Sequence, residues 1–161
     1  MGMLEAVRTG LRKWITFSGR ASRAEYWWFY LGNILMMVGL AGAASLVLFA
    51  MGERAPLLLR WSVLCLLGLG LLWLYVAQIS VIVRRLHDRN LSGFWLLGYL
   101  GLAMLGGLSG LFSTTIIMGL SGLTLVSSVL LLVVVAIRGT KGANRYGPDP
   151  LIQERPEAVF E

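Results

Sequence analysis

The chain has 161 residues, enough for one domain, but 57% of them are apolar, 14% are charged and the mean hydropathy is +0.76, a balance foreign to soluble globular proteins. Its net charge of +6 does not point to nucleic acid, because the basic residues stand at the ends of apolar runs and not along one helix face or among exposed aromatics. The single cysteine, Cys65, lies among leucines, which excludes an intrachain disulfide and a Cys/His metal site and makes it a small apolar filler.

From Met1 to Glu25 the chain is polar, and Leu4, Val7, Leu11 and Trp14 recur at helical spacing, with Arg8, Arg12 and Lys13 mostly on other faces. This pattern predicts a short amphipathic helix in the membrane interface, an anchor that binds anionic headgroups. No cleavable signal peptide is expected, since the first apolar run starts late, is long and is not followed by a small-residue cleavage site.

Tyr26 to Gly52 is 27 residues without a charge, and about 20 helical residues suffice to cross a hydrocarbon core of about 30 Å. Tyr26, Trp27, Trp28 and Tyr30 at its start suit an aromatic belt at headgroup depth. After a link with Glu53, Arg54 and Pro56, a second span runs from about Leu57 to Val83, with Arg60 close enough to its end to snorkel. A charged island, Arg84-Arg85-Leu86-His87-Asp88-Arg89-Asn90, holds the single histidine. Leu91 to Ile137 then gives 47 residues without Asp, Glu, Lys or Arg. As one helix it would measure about 70 Å, twice what a bilayer accommodates, so it must fold back. The most plausible place is Gly106-Gly107-Leu108-Ser109-Gly110 and the residues just after, where three glycines and Ser109 weaken helix. The expected fold class is all-α membrane: an amphipathic cytoplasmic-face segment (1–25), four transmembrane helices in a bundle (26–137) and a cytoplasmic tail (138–161).

Orientation follows from the cations. In a four-span chain the first segment, the island and the tail share one side and carry 12 of the 14 Lys and Arg residues, so both termini are expected in the cytoplasm. Three spans would put Arg138, Lys141, Arg145 and Arg155 outside, which the charge distribution opposes.

Three sequence-rich segments share that side: Phe17-Ser18-Gly19-Arg20-Ala21-Ser22-Arg23-Ala24-Glu25-Tyr26-Trp27, Arg84 to Asn90 continued by Leu91-Ser92-Gly93-Phe94-Trp95, and Gly139-Thr140-Lys141-Gly142-Ala143-Asn144-Arg145-Tyr146-Gly147-Pro148-Asp149-Pro150. In this order they resemble the family of small bacterial inner-membrane proteins catalogued as domain of unknown function 805, from about Phe17 to Pro150. The resemblance implies a multi-pass protein of the bacterial inner (plasma) membrane, and brings no activity, cofactor or catalytic residue with it.

Two physical readings of the motifs compete. Topology explains the sign of Arg84, Arg85 and His87 at a helix C-terminus, but not the acids Glu25 and Asp88 on a face meant to be positive. The first reading is a staple, with these carboxylates paired to Arg20, Arg23, Arg84, Arg85 or Arg89, and with Ser22, Asn90 or Ser92 capping the following helices. The second is an anion site, with Arg20, Arg23, Arg84, Arg85, Lys141 and Arg145 converging near Gly139, Gly142 and Asn144 on a phosphate or lipid headgroup. Gly139-Thr140-Lys141 lacks P-loop spacing; Gly139 is expected to end helix four, and Pro148 and Pro150 to stop the tail.

Catalysis is not expected. His87 and Asp88 are adjacent and should diverge, neither Ser nor Cys is identifiable as a nucleophile with them, and one histidine makes no metal site. Inside the spans, Asn33 and Gln78 lie about 10 and 8 Å from the cytoplasmic boundary and are expected to form an intramembrane polar pair. The overall expectation is a non-enzymatic membrane or envelope accessory without cofactor, whose basic cap binds lipid headgroups or a membrane-protein partner, itself included as a homo-oligomer. The alternative is a small oligomeric transporter or channel using the weak polar stripe Ser121, Thr124 and Ser128.

Overall fold

The computed structural model describes residues 1–107 and 114–154. These form six helices: α1 (Met3–Arg12), α2 (Arg23–Met51), α3 (Leu57–Asp88), α4 (Phe94–Gly107), α5 (Thr114–Ala136) and the short α6 (Pro150–Glu154). At about 1.5 Å per residue, the 29, 32 and 23 residues of α2, α3 and α5 exceed the hydrocarbon thickness of about 30 Å. Their large side chains point outward, for example Phe49 (86% exposed), Leu58 (83%) and Leu66 (69%). Such surfaces would aggregate in water but are what lipid solvates, so this is a helical membrane protein.

Four full-length spans are expected from the sequence, and the structure shows three plus one shorter apolar helix. The 14 described residues of α4 rise about 21 Å. The expected reversal at Gly106 to Gly110 and just beyond lies largely on 108–113, outside the described residues.

The chain forms two compact units, Met1–Thr16 with Ala24–Val81, and Phe17–Arg23 with Ile82–Glu161, and α3 contributes to both. In the first unit α1 packs on α2 through small residues. A Cβ on Gly10 would enter the Phe29 ring, and one on Gly32 would collide with Val7. Of the apolar stripe Leu4, Val7, Leu11 and Trp14, expected to face the membrane interface, Val7 also meets α2. Ala6 and Gly10 are buried and Leu4 is 64% exposed, because close backbone approach selects small residues over large ones. Beyond α1, the Ser80 hydroxyl lies 2.8 Å from the Lys13 carbonyl and 2.7 Å from that of Thr16, sharing its one proton between them and pinning the chain as it leaves the helix.

Between α2 and α3 the link turns at Gly52, whose φ of 65° suits glycine. Arg60 reaches back to this link, as a cation near the end of a span should: its guanidinium donates to the Gly52 carbonyl at 3.0 Å. At the other end of α2, Tyr26 stands edge-on to Trp27 with ring centroids 5.1 Å apart, and stacks with Tyr30 at 6.1 Å, with Trp27 and Tyr30 partly exposed as a belt requires.

In the second unit α4 and α5 run antiparallel. Tyr99, early in α4, meets Ser128, late in α5, with their hydroxyl oxygens 3.5 Å apart. The Thr124 and Ser128 hydroxyls donate to Leu120 and Thr124 carbonyls at 2.8 and 2.7 Å, so these two members of the polar stripe bond back to their own helix.

Candidate functional site: a polar cap built from three motifs

The cap begins with the way α3 stops. Asn90 adopts φ 59°, Leu91 N–H donates to the Leu86 carbonyl at 3.0 Å, and Asn90 N–H donates to that of His87 at 2.9 Å. This is a Schellman ending with Asn90 in the left-handed position, a role asparagine fills at modest cost. Asn90 thus ends α3 and does not cap α4. Ser92 does that, its Oγ accepting from Phe94 N–H at 3.3 Å. The sharp stop leaves Arg84, Arg85, His87 and Asp88 on the last turn, all buried.

Asp88 is the centre. Its Oδ1 accepts from Arg20 Nε at 2.9 Å and Nη2 at 2.8 Å, and its Oδ2 accepts from Arg85 Nη1. The Arg20 and Asp88 side chains are 1% and 4% exposed. Arg20 goes further: Nη2 also donates to Thr140 O at 2.6 Å, and Nη1 to Gly142 O at 2.6 Å and Gly147 O at 3.4 Å. All five of its N–H groups are engaged. One guanidinium therefore joins the segment before α2, the end of α3 and the segment after α5.

Arg85 solves a different problem. The final carbonyls of α5 have no intrahelical donor. Arg85 Nε donates to Val135 O at 2.9 Å, Nη2 donates to Ile137 O, and Nη1 also reaches Ala21 O at 3.3 Å. Next to it, Arg89 donates to the Arg138 carbonyl. Cations at the negative end of a helix dipole are favoured as well as bonded. Gly139, expected to end the helix as a C-cap, has another role. The helix stops at Ala136, Gly139 does not have a positive φ, and a Cβ there would overlap the Asp88 carboxylate. Its lack of a side chain makes room for Asp88, while Thr140 donates to the Asp88 carbonyl through both N–H (2.9 Å) and Oγ1 (3.1 Å).

The tail motif folds around Asn144. Its Nδ2 donates to His87 O at 2.9 Å and to Thr140 Oγ1 at 3.0 Å, and its Oδ1 accepts from Tyr146 N–H at 2.9 Å. Tyr146 stacks on His87 with centroids 3.8 Å apart and planes at 4°. His87 Nδ1 lies 3.2 Å from Gly19 O, so this nitrogen carries the proton. Arg145 sits 4.7 Å from the Tyr146 ring centroid and donates to Asn90 O at 3.0 Å. Asp149 accepts from Gly142 N–H and Leu151 N–H, both at 3.0 Å.

Arg20, Arg85, His87, Asp88, Asn144 and Arg145 are thus gathered, while Arg84 and Glu25 are buried and Arg23 and Lys141 are exposed. Arg20 and Arg85, two members of the expected anion site, give their donors to internal acceptors. Among the described residues no three of His, Cys, Asp and Glu cluster as metal ligands would. Sequence reasoning missed Thr140, Tyr146 and Asp149; the Asn144-x-x-Gly147 turn signal was the available hint.

The other expected pair lies in the first unit. Asn33, 3% exposed, donates through Nδ2 to Gln78 Oε1 at 3.1 Å and to Leu74 O at 3.3 Å. The Leu74 carbonyl can only accept, which assigns the Asn33 amide orientation and with it that of Gln78. Asn33 Oδ1 and Gln78 Nε2 are buried without a hydrogen-bond partner among the described residues.

Comparison with known proteins places this architecture. The chain is 29% identical over 140 residues to "Inner membrane protein YhaI" of Escherichia coli K12, covering 87% of this chain and 90% of that protein. It is 32% identical over 145 residues to "Uncharacterized protein YiiR" (86% and 89%) and 28% identical over 144 residues to "Inner membrane protein YhaH" (89% and 93%), both from the same strain. No solved structure gives a significant match. The family described as "Protein of unknown function (DUF805)" matches residues 14–148, which include all three motifs of the cap, and the chain belongs to that family of multi-pass bacterial inner-membrane proteins.

Proposed function

We propose that the chain is a non-enzymatic accessory of the inner membrane that crosses it four times, keeps both termini in the cytoplasm and offers a cationic rim to anionic lipid headgroups there. The observation that carries this reading is the division among its cations. Arg20 and Arg85 are committed to Asp88 and to backbone carbonyls, whereas Arg23, Arg138, Lys141 and Arg145 are exposed. Each exposed cation near an anionic surface contributes about 1 kcal/mol. His87 and Asp88 offer no free acid–base pair, the one covered by Tyr146 and the other held by two guanidiniums.

The cap also supports the topology. Arg20 before α2, Asp88 at the end of α3 and Thr140 after α5 are bonded together, so these chain ends share one membrane face. Leu91 to Ile137 must then leave and return, which favours α4 and α5 as the limbs of one excursion. The positive-inside rule assigns the shared face to the cytoplasm.

Two measurements test the reading. A periplasm-dependent reporter should be silent after Glu161 and active within the Glu53–Arg54 link; activity after Glu161 would overturn the topology. Lipid co-purified in mild detergent should be enriched in anionic species, and that enrichment should fall several-fold in an Arg23→Gln, Lys141→Gln, Arg145→Gln variant. Unchanged lipid composition would remove the headgroup role.

A further inference from the structure

Between α4 and α5 lies a cavity of about 450 Å³, lined by Leu86 and Leu91 from the cap end, Trp95 and Gly98 from α4, and Leu130 and Val134 from α5. It lies within the range of about 300–1,000 Å³ typical of ligand sites, and its wall is almost entirely apolar. Trp95 is 70% and Leu130 60% exposed, so the cavity opens on the surface that lipid bathes. Hydrocarbon is its natural content. An acyl chain entering from the bilayer gains packing contacts with this wall but no hydrophobic free energy, because the lipid tails it leaves are as apolar as the leucines it meets. Any lipid held there in preference to others must be chosen at its headgroup.

The cap end of the cavity has the groups to choose. Three arginines lie close to its lining along the chain or through a backbone contact. Arg89 is three residues after Leu86, Arg138 is four after Val134, and Arg145 donates to the carbonyl of Asn90, the residue before Leu91. Among the described residues Arg145 gives one N–H to the Asn90 carbonyl and its other four to no acceptor. The Arg138 side chain is exposed while its carbonyl holds Arg89. The acids Asp88 and Asp149 are both turned inward, onto guanidiniums and backbone N–H groups, and do not offset this charge.

We infer that the second unit holds one anionic phospholipid, with an acyl chain in the α4–α5 cavity and its phosphate at Arg138 and Arg145. This rests on the headgroup reading above and gives it a place and a stoichiometry. A free phosphate ion could use the arginines but not the apolar wall, and a zwitterionic lipid such as phosphatidylcholine would use the wall but bring its choline cation among the arginines.

The test is native mass spectrometry of the full chain from mild detergent, titrated with phosphatidylglycerol or phosphatidylcholine of identical acyl chains. The parent should retain one phosphatidylglycerol and bind phosphatidylcholine more weakly, by about fivefold for each arginine engaged. Gly98→Leu plugs the cavity from α4; a Cβ at this position meets nothing within 4 Å, so the side chain enters open space. Phosphatidylglycerol binding should drop about tenfold or more, equivalent to about 1.4 kcal/mol. Val134→Phe fills the same space from the opposite wall and should do likewise, so the test survives if one variant folds poorly. Arg138→Gln with Arg145→Gln should instead erase the preference between the two lipids. If both plugging variants bind phosphatidylglycerol like the parent while the arginine variant loses it, the cavity site is wrong and the headgroup reading stands. If the parent binds both lipids equally, the site and the headgroup reading fall together.

Discussion

Replacing Asp88 by asparagine should unhook the cap while leaving its volume almost unchanged. The carboxylate accepts two hydrogen bonds from Arg20 and one from Arg85, with the Arg20 and Asp88 side chains 1% and 4% exposed. Asparagine supplies one acceptor oxygen and turns two N–H groups toward guanidinium donors, and the two cations lose their counter-charge inside the protein. Three charge-assisted bonds at about 1.5–3 kcal/mol each set an upper limit of about 9 kcal/mol. Both guanidiniums keep their carbonyl acceptors, among them Thr140, Gly142 and Val135, which argues for the lower figure of about 3–5 kcal/mol for breaking a buried pair. At about 2–4 °C per kcal/mol for a chain of this size, the melting temperature should fall by about 6–20 °C. Thermal unfolding in mild detergent, followed by tryptophan fluorescence, measures this. A double-mutant cycle with Arg20→Gln should return a coupling of about 2 kcal/mol or more, since the two side chains share two hydrogen bonds. A melting temperature within about 2 °C of the parent would refute the argument that this carboxylate holds three chain segments together.

Other substitutions probe neighbouring contacts. Gly139→Ala should lower the melting temperature by several degrees, since its Cβ would overlap the Asp88 carboxylate; an unchanged value would mean the chain after α5 shifts aside freely. Gly10→Leu should detach α1 from α2 because Phe29 already occupies the space, and should show as faster protease cleavage in the first 20 residues without loss of membrane insertion. Asn33→Leu should loosen α2 against α3 by only about 0.6 kcal/mol, at most about 1.7. It removes the bonds to Gln78 and Leu74, but it also removes a buried acceptor that has no partner among the described residues. A melting temperature equal to the parent's would leave that polar layer without a structural role.

The sites differ in how far they could be read in advance. Asn33 and Gln78 are two carboxamides in an otherwise uncharged layer, and hydrocarbon permits them few alternatives to each other, so depth counting alone suggested the pair that the structure brings together at 3.1 Å. Asp88 was visible as an acid on a basic face, but which of five arginines it would meet was not. Arg20, 68 residues away, and Arg85, three away, are equally arginine in the sequence. The contact of α1 with α2 was not legible for a similar reason. Hydrophobic periodicity ranks large residues first, whereas two backbones in close contact select Gly10 and Gly32, which periodicity passes over.

The sequence by itself determined the solvent. Uncharged runs of 27 and 47 residues cannot be water-soluble, the cations gathered at their ends favour one orientation, and the order of the three motifs indicates the family. These are properties of composition and of one-dimensional spacing, and lipid imposes them segment by segment. Tertiary structure alone decided the chemistry of the cap. It consumed Arg20 and Arg85 in holding the chain together, left Arg138, Lys141 and Arg145 on the surface, and opened a cavity between α4 and α5. An arginine's role depends on which acceptors converge on its five donors, and those acceptors are mostly backbone carbonyls, which every residue carries and no sequence pattern distinguishes.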